Sequence, residues 1–224
     1  MRLYSASLAY NFANISSQLG NDTLIIDRMS GGSYTHRHTV TFQKGLYGSV
    51  DDIQRVIKHS LYADTNFPNL EILLMPVVAT QRVHIEVVNG NSDELRLHFT
   101  AANSIGQLLG FTSDKSFAAN STTSHESDTA AALDRTTSVL IQTSLRNGPV
   151  VSGKGGQSTV AVIHLADHQP ASVVAYTPQQ LLSIPAPGLA GATIYSATFA
   201  IVIQNGEDLE TLGEAWQLVL EVAW

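Results

Sequence analysis

A glycine-rich stretch that ends in lysine is the first place where this chain could do chemistry. Gly148-Pro149-Val150-Val151-Ser152-Gly153-Lys154-Gly155 has the glycine and lysine spacing of a phosphate-binding loop. Such a loop needs Ser or Thr directly after the lysine to hold magnesium, and a helix whose N-terminus faces the phosphates. Gly155 follows instead, and the pattern beyond it is β. The stretch therefore reads as a glycine-rich hairpin. His36 and His38 lie two apart on an extended segment, so both could face one metal ion as in a cupin-like site. A metal site needs three or four converging ligands. No Glu lies a few residues on, and His59, His84, His98, His125, His164 and His168 are scattered without ligand-like spacing.

No serine sits in a Gly-x-Ser-x-Gly elbow, the strained turn that exposes a nucleophile. The carboxylate pairs Asp51-Asp52 and Glu207-Asp208 fall at a helix start and in a turn, where capping or solvation accounts for them. Sequons at Asn14, Asn21 and Asn120 occur in a chain rich in Asn, Ser and Thr, and chance explains them. With no cysteine, disulfides, thiolate nucleophiles and Cys-based zinc sites are excluded. No catalytic, cofactor-binding or metal-ligating residue is assigned, and the chain is read as a non-enzyme without a cofactor.

The 224 residues carry a formal charge of −7, which is unsuited to phosphate backbones, so no nucleic-acid binding is expected. Charged residues make up only 14% of the chain, well below the roughly 25% of ordinary globular domains. A weakly charged surface suits a subunit that buries itself against neighbours, because burying charge is costly. Pro76 interrupts the longest apolar run, Ile72 to Ala79, so no membrane insertion is expected. The first residues, Met1-Arg2-Leu3-Tyr4, lack the apolar block of a signal peptide, and secretion by that route is not expected.

The elements that would position any site are mostly strands. Arg2 to Phe12, Leu24 to Asp27 and Ser33 to Phe42 read as extended, the last with Tyr34, His36, His38, Val40 and Phe42 on one face and a solvated face opposite. From Ser49 to Ala63 the period changes, and Val50, Ile53, Val56, Ile57 and Leu61 form one helical stripe with Ser49 as its N-cap. Glu71 to Val78, Arg82 to Val88 and Leu95 to Thr100 read as a three-stranded meander. A short amphipathic turn follows over 104–109, stopped by Gly110. Thr112 to Thr137 is rich in Ser, Thr, Ala and Asp and reads as a flexible loop or linker. Strands resume at Ser138 to Leu145, Thr159 to Leu165, Ser172 to Tyr176, Thr193 to Gln204 and Gln217 to Trp224.

The fold class expected is thus mainly β, an antiparallel sandwich or jelly-roll-like fold with one amphipathic helix near residues 49–63. The domain division expected is an N-terminal half over 1–111, the linker over 112–137 and a C-terminal half over 138–224, or one composite domain.

Four stretches, in order, carry a resemblance: Tyr10-Asn11-Phe12-Ala13-Asn14-Ile15; Lys44-Gly45-Leu46-Tyr47-Gly48-Ser49-Val50-Asp51-Asp52-Ile53; Ser104-Ile105-Gly106-Gln107-Leu108-Leu109-Gly110-Phe111; and Asn205-Gly206 through Gly213-Glu214-Ala215-Trp216-Gln217-Leu218-Val219-Leu220. Together they resemble a group of penton-like minor capsid proteins in polinton-type elements and related small double-stranded DNA viruses. The chain departs from that group in the 112–137 segment and in its short N-terminus.

The resemblance implies a structural virion protein, a minor or vertex capsid component made in the host cell interior. Its implied partners are itself, as a homo-oligomer with a pentamer favoured over a trimer, and the major capsid protein. A surface fibre or receptor-binding β module is the alternative, and a cupin-like metal-binding protein a further one. The residues expected to make packing or assembly contacts are Ile105, Leu108, Leu109, Phe111 and Trp224.

Overall fold

The computed structural model describes residues 2–133, 136–143, 158–165, 168, 172–178, 198–203, 209, 212–213 and 215–221. In chain order the elements are β1 (Arg2–Ala9), β2 (Thr23–Ser30), β3 (Ser33–Thr41), α1 (Val50–Tyr62), β4 (Leu70–Val77), β5 (Arg82–Asn89) and β6 (Glu94–His98). They continue with α2 (Gly106–Leu109), β7 (Lys115–Phe117), β8 (Ser121–Glu126), β9 (Ser138–Thr143), β10 (Ser158–His164), β11 (Val173–Tyr176), β12 (Phe199–Ile203) and β13 (Trp216–Glu221). Among the described residues every pair of these strands is antiparallel. The chain is mainly β with a jelly-roll-like arrangement of short antiparallel strands. The turns Asn147-Gly148, Pro185 to Gly188 and Asn205-Gly206, the Gly148 to Gly155 stretch and Trp224 all lie outside the described residues.

The chain divides into two compact units, one formed by Ala13–Arg135 and the other by Met1–Phe12 with Thr136–Trp224. This differs from the expected split at 112–137. The reason is long-range pairing: β1 lies between β11 and β13, whose residues are far along the chain. The first strand therefore belongs with the C-terminal strands, and the sequence between forms an inserted unit.

In the discontinuous unit, β1 alternates as a half-buried strand should. Ala6, Leu8, Tyr10 and Phe12 are buried, while the residues between them are not. Leu3 would fall on the opposite face, but the register shifts between Leu3 and Ser5, and this bulge returns Leu3 to the buried side and leaves Tyr4 exposed. These residues share a core with Val139 and Ile141 of β9, the centre of the β10-β9-β12 sheet, and with Ile163 and Val174.

The inserted unit has a four-stranded sheet, β3-β2-β6-β7, and a three-stranded one, β4-β5-β8, around one core. Helix α1 forms where the apolar period changes. Val50, Ile53, Ile57 and Leu61 are buried, and Ser49 and Asp52 make a reciprocal capping box. The expected meander is broken after β5. Strand β6 crosses to pair with β2, so that Leu95 and Leu97 reach full burial, and the free edge of β5 is taken by β8.

The segment expected to be a flexible linker contributes β7 and β8. Its only large apolar residues are Phe117, which anchors β7 in the core, and Leu133, which packs against it, and its strands fill their backbone hydrogen bonds at sheet edges. Beyond β8, Ala131 N donates to Gln81 O at 2.8 Å, Thr129 N to Gly110 O at 2.9 Å and Ala132 N to Leu108 O at 2.8 Å. Asp128 binds Thr112 N at 2.7 Å and Lys115 Nζ at 3.0 Å. Backbone satisfaction replaces apolar burial here.

Two glycines of the 104–111 stretch are dictated by close approach. A Cβ on Gly106 would lie 2.2 Å from Phe99 O, and one on Gly110, which has φ +82, would lie 2.2 Å from Thr129 O. The first of these gives a direct check on the packing. Gly106→Ala should lower stability by about 3 kcal/mol, the cost of overpacking against fixed backbone. Urea unfolding would measure it, and a change under about 0.5 kcal/mol would contradict this packing.

Candidate functional site

Three of the four sequence stretches meet at one place in the inserted unit. Asn14 is buried, and its Nδ2 donates to Tyr47 O at 2.9 Å and to Leu133 O at 2.7 Å, while its Oδ1 accepts from Tyr47 N at 2.8 Å. Ile15 and Gly45 exchange backbone bonds at 3.1 and 3.2 Å. Asn21 Nδ2 donates to Asn14 O at 2.8 Å, and Asn21 Oδ1 accepts from Ser16 N at 3.0 Å. Leu108 of the third stretch takes the N–H of Ala132, one residue before Leu133. The sequons at Asn14 and Asn21 are therefore buried and hydrogen-bonded, whereas Asn120 sits exposed in a turn with φ +48.

A second cluster has the outline of a hydrolase triad, which sequence spacing did not reveal. His38 Nε2 lies 2.8 Å from Ser60 Oγ, and His38 Nδ1 lies 2.7 Å from Asp64 Oδ2. Ser60 lines a groove of about 710 Å³ with Tyr47, Arg55 and His59. The distances match a nucleophile, a base and an orienting carboxylate. The electrostatics do not. Ser60 is in the last turn of α1, where helix carbonyls concentrate negative charge, and an oxyanion needs donors or a helix N-terminus. The contacts support a mechanical reading: β3 is tied to the end of α1 and the loop after it, with Phe67 edge-on to the imidazole at 5.8 Å.

A third cluster joins β2, β3, β6 and the loop before β7. Asp27 is almost fully buried and pairs with Arg37 through two bonds of 2.8 and 2.7 Å. His98 sits between carboxylates, with Nε2 2.9 Å from Asp27 Oδ2 and Nδ1 3.0 Å from Asp114 Oδ2. The ring donates to both when it carries its second proton. Asp114 also accepts from Thr100 N at 3.0 Å and Thr100 Oγ1 at 2.8 Å. The Arg37 fork holds the Asp27 carboxyl below its ordinary value against the opposing effect of burial, with His98 adding to the lowering. Burial raises Asp114, but the Thr100 donors and His98 outweigh it and leave it lowered. These interactions cross strands on one sheet and fasten the loop, which is a structural role.

The metal reading does not gain from the structure. His36 is exposed, both nitrogens of His38 are already bonded to Asp64 and Ser60, and among the described residues no group of three or more His, Asp or Glu is placed to hold an ion. The first half of β3 projects beyond the core with both faces exposed, so the expected buried face is limited to its end at Val40 and to Phe42. Ile105, Leu108, Leu109 and Phe111 are fully buried in the inserted unit's core, where Phe111 stacks on Phe99 at 4.2 Å. They pack the core of that unit. Among the described residues no helix is long and apolar enough to cross a membrane.

No family model matches the sequence, and no curated protein matches it. Among solved structures, the fold is similar to that of the mavirus penton protein, with a TM-score of 0.51 and 11% identity over 97% of this chain and 82% of that one.

Two measurements follow from the clusters. A fluorophosphonate probe should leave Ser60 unlabelled; stoichiometric labelling that disappears in Ser60→Ala would establish a nucleophile and overturn the mechanical reading. Carboxylates lowered by folding contribute stability that is present above their unfolded value of about 3.9 and lost as pH falls through the folded value. Unfolding free energy should therefore decline as pH drops below about 4, and the decline should be shallower in Asp27→Asn. Equal slopes would contradict the Asp27 pairing.

Proposed function

We propose that this protein is a structural component of a virus capsid, a minor or vertex subunit that works by packing against other subunits and not by catalysis. The observation that carries the reading is the fold likeness to the mavirus penton protein over 97% of this chain. The motif resemblance points the same way, and three of its stretches meet in the inserted unit through Asn14, Gly45 and Leu108. Low charge density fits a subunit buried among neighbours. The place of Ser60 at the C-terminal end of α1 weighs against a hydrolase, and the acidic net charge favours a position away from packaged nucleic acid.

A vertex subunit closes a ring of identical copies by a heterologous interface and touches the surrounding shell protein. Here the partners proposed are further copies of this chain, five to a ring, and the major capsid protein. Native mass spectrometry of the purified chain reads the ring directly. Five 24.1 kDa chains give an assembly of about 120 kDa. A trimer would favour a fibre module instead, and a strict monomer that never joins particles would overturn the capsid reading.

A further inference from the structure

The loop between α1 and β4 is fastened from behind and chemically open in front. Asp64 accepts from His38, from Asn66 N at 2.9 Å and from Asn66 Nδ2 at 3.0 Å. Arg28 donates to Asn66 O at 2.6 Å and pairs with Asp93 at 2.7 Å. Phe67 is buried and its N–H bonds to Asp64 O. Asn69 has φ +55, and its carbonyl accepts from Gly90 N at 3.0 Å. A Cβ on Gly90 would lie 2.9 Å from that of Asn69, so the two backbones meet only because one is glycine.

In front of this loop is a pocket of about 350 Å³. Phe67 contributes to its apolar floor, and Tyr62, 93% exposed, stands on its wall. Lys58, Thr65, Asn69 and Glu71 supply its polar atoms. Among the described residues the side chains of these four make no hydrogen bond or ion pair, whereas Asp64 is fully engaged. A braced loop therefore presents solvent-facing donors and acceptors beside an apolar surface and an exposed aromatic ring.

We propose that this pocket binds a neutral pyranose sugar. A pyranose has an apolar C–H face and a rim of hydroxyls, each both donor and acceptor. The face suits the Tyr62 ring. The rim suits the mixture of a three-proton donor, an acceptor carboxylate, an amide and a hydroxyl. The lining carries one ammonium, Lys58, against two carboxylates, Glu71 and Asp64, and Asp64 is already taken up by His38 and Asn66, so no excess positive charge draws an anion and one free carboxylate is matched by one free ammonium. Its volume is at the small end of ligand pockets, about 300–1,000 Å³, which fits one ring. The rigid frame lowers the ordering cost of binding. The site stands apart from the capsid reading, since it holds or fails whatever the oligomeric state.

The test is a titration of the full chain with the methyl glycosides of glucose, galactose, mannose and N-acetylglucosamine, followed by protein NMR, to about 50 mM because one-ring ligands bind in the millimolar range. At least one should give saturable shifts confined to residues 58–71. Tyr62→Ala should weaken binding at least about tenfold while keeping the wild-type melting curve, and Glu71→Gln should weaken it without touching the aromatic face. Tyr34→Ala, a distant exposed aromatic, should leave it unchanged. Lack of saturable binding by all four sugars, retention of full affinity in both Tyr62→Ala and Glu71→Gln, or tighter binding of a charged sugar such as sialyllactose would overturn the proposal.

Discussion

A unit inserted into another unit must bring its two ends together, and in this chain one buried carboxamide does so. Asn14 stands at the beginning of the inserted unit and Leu133 near its end, and a single amide nitrogen joins Leu133 O to Tyr47 O. Only an amide side chain offers two donors and an acceptor in this geometry. An Asp would lose the donors, and an apolar residue would take from the half-buried Tyr47 and Leu133 carbonyls and the Tyr47 N–H the partner they have here. The Gly45 turn is held to Ile15 by the same stretch, and Ser49 two residues after Tyr47 caps α1. The position of the helix and hence of its groove and pocket follows from this point.

The histidines extend the same logic. His38 joins β3 to the end of α1, and His98 joins β2 to the loop that leads into β7. Each imidazole uses both nitrogens, and each is satisfied by groups from other elements. Polar side chains that look available for chemistry in a sequence are here committed to holding edges and loops.

Much of this was legible in the sequence where the signal is local. The α1 stripe, its Ser49 cap and the Gly110 stop are written in periods and end residues, and the strands of the 70–98 region in alternation. What sequence could not supply was partner choice. Nothing local tells β1 that it pairs with β11 and β13, or β6 that it leaves β5 for β2. Strands β7 and β8 escaped because they are ordered by edge hydrogen bonds and by Asp128, with almost no apolar burial to mark them. The Ser60, His38 and Asp64 cluster escaped because Ser60 carries no elbow motif and its two partners lie on other elements. The apolar turn at 105–111 was visible as apolar, but whether it faced a core or a partner depended on the Phe99 and Thr129 backbones above it.

A structural role at a capsid vertex has one decisive readout. Electron cryomicroscopy of particles assembled with this protein should show its two β units in density at the fivefold positions, in five copies around each axis. Particles with complete vertices that lack it, or density for it only on the threefold faces or nowhere, would contradict the vertex role.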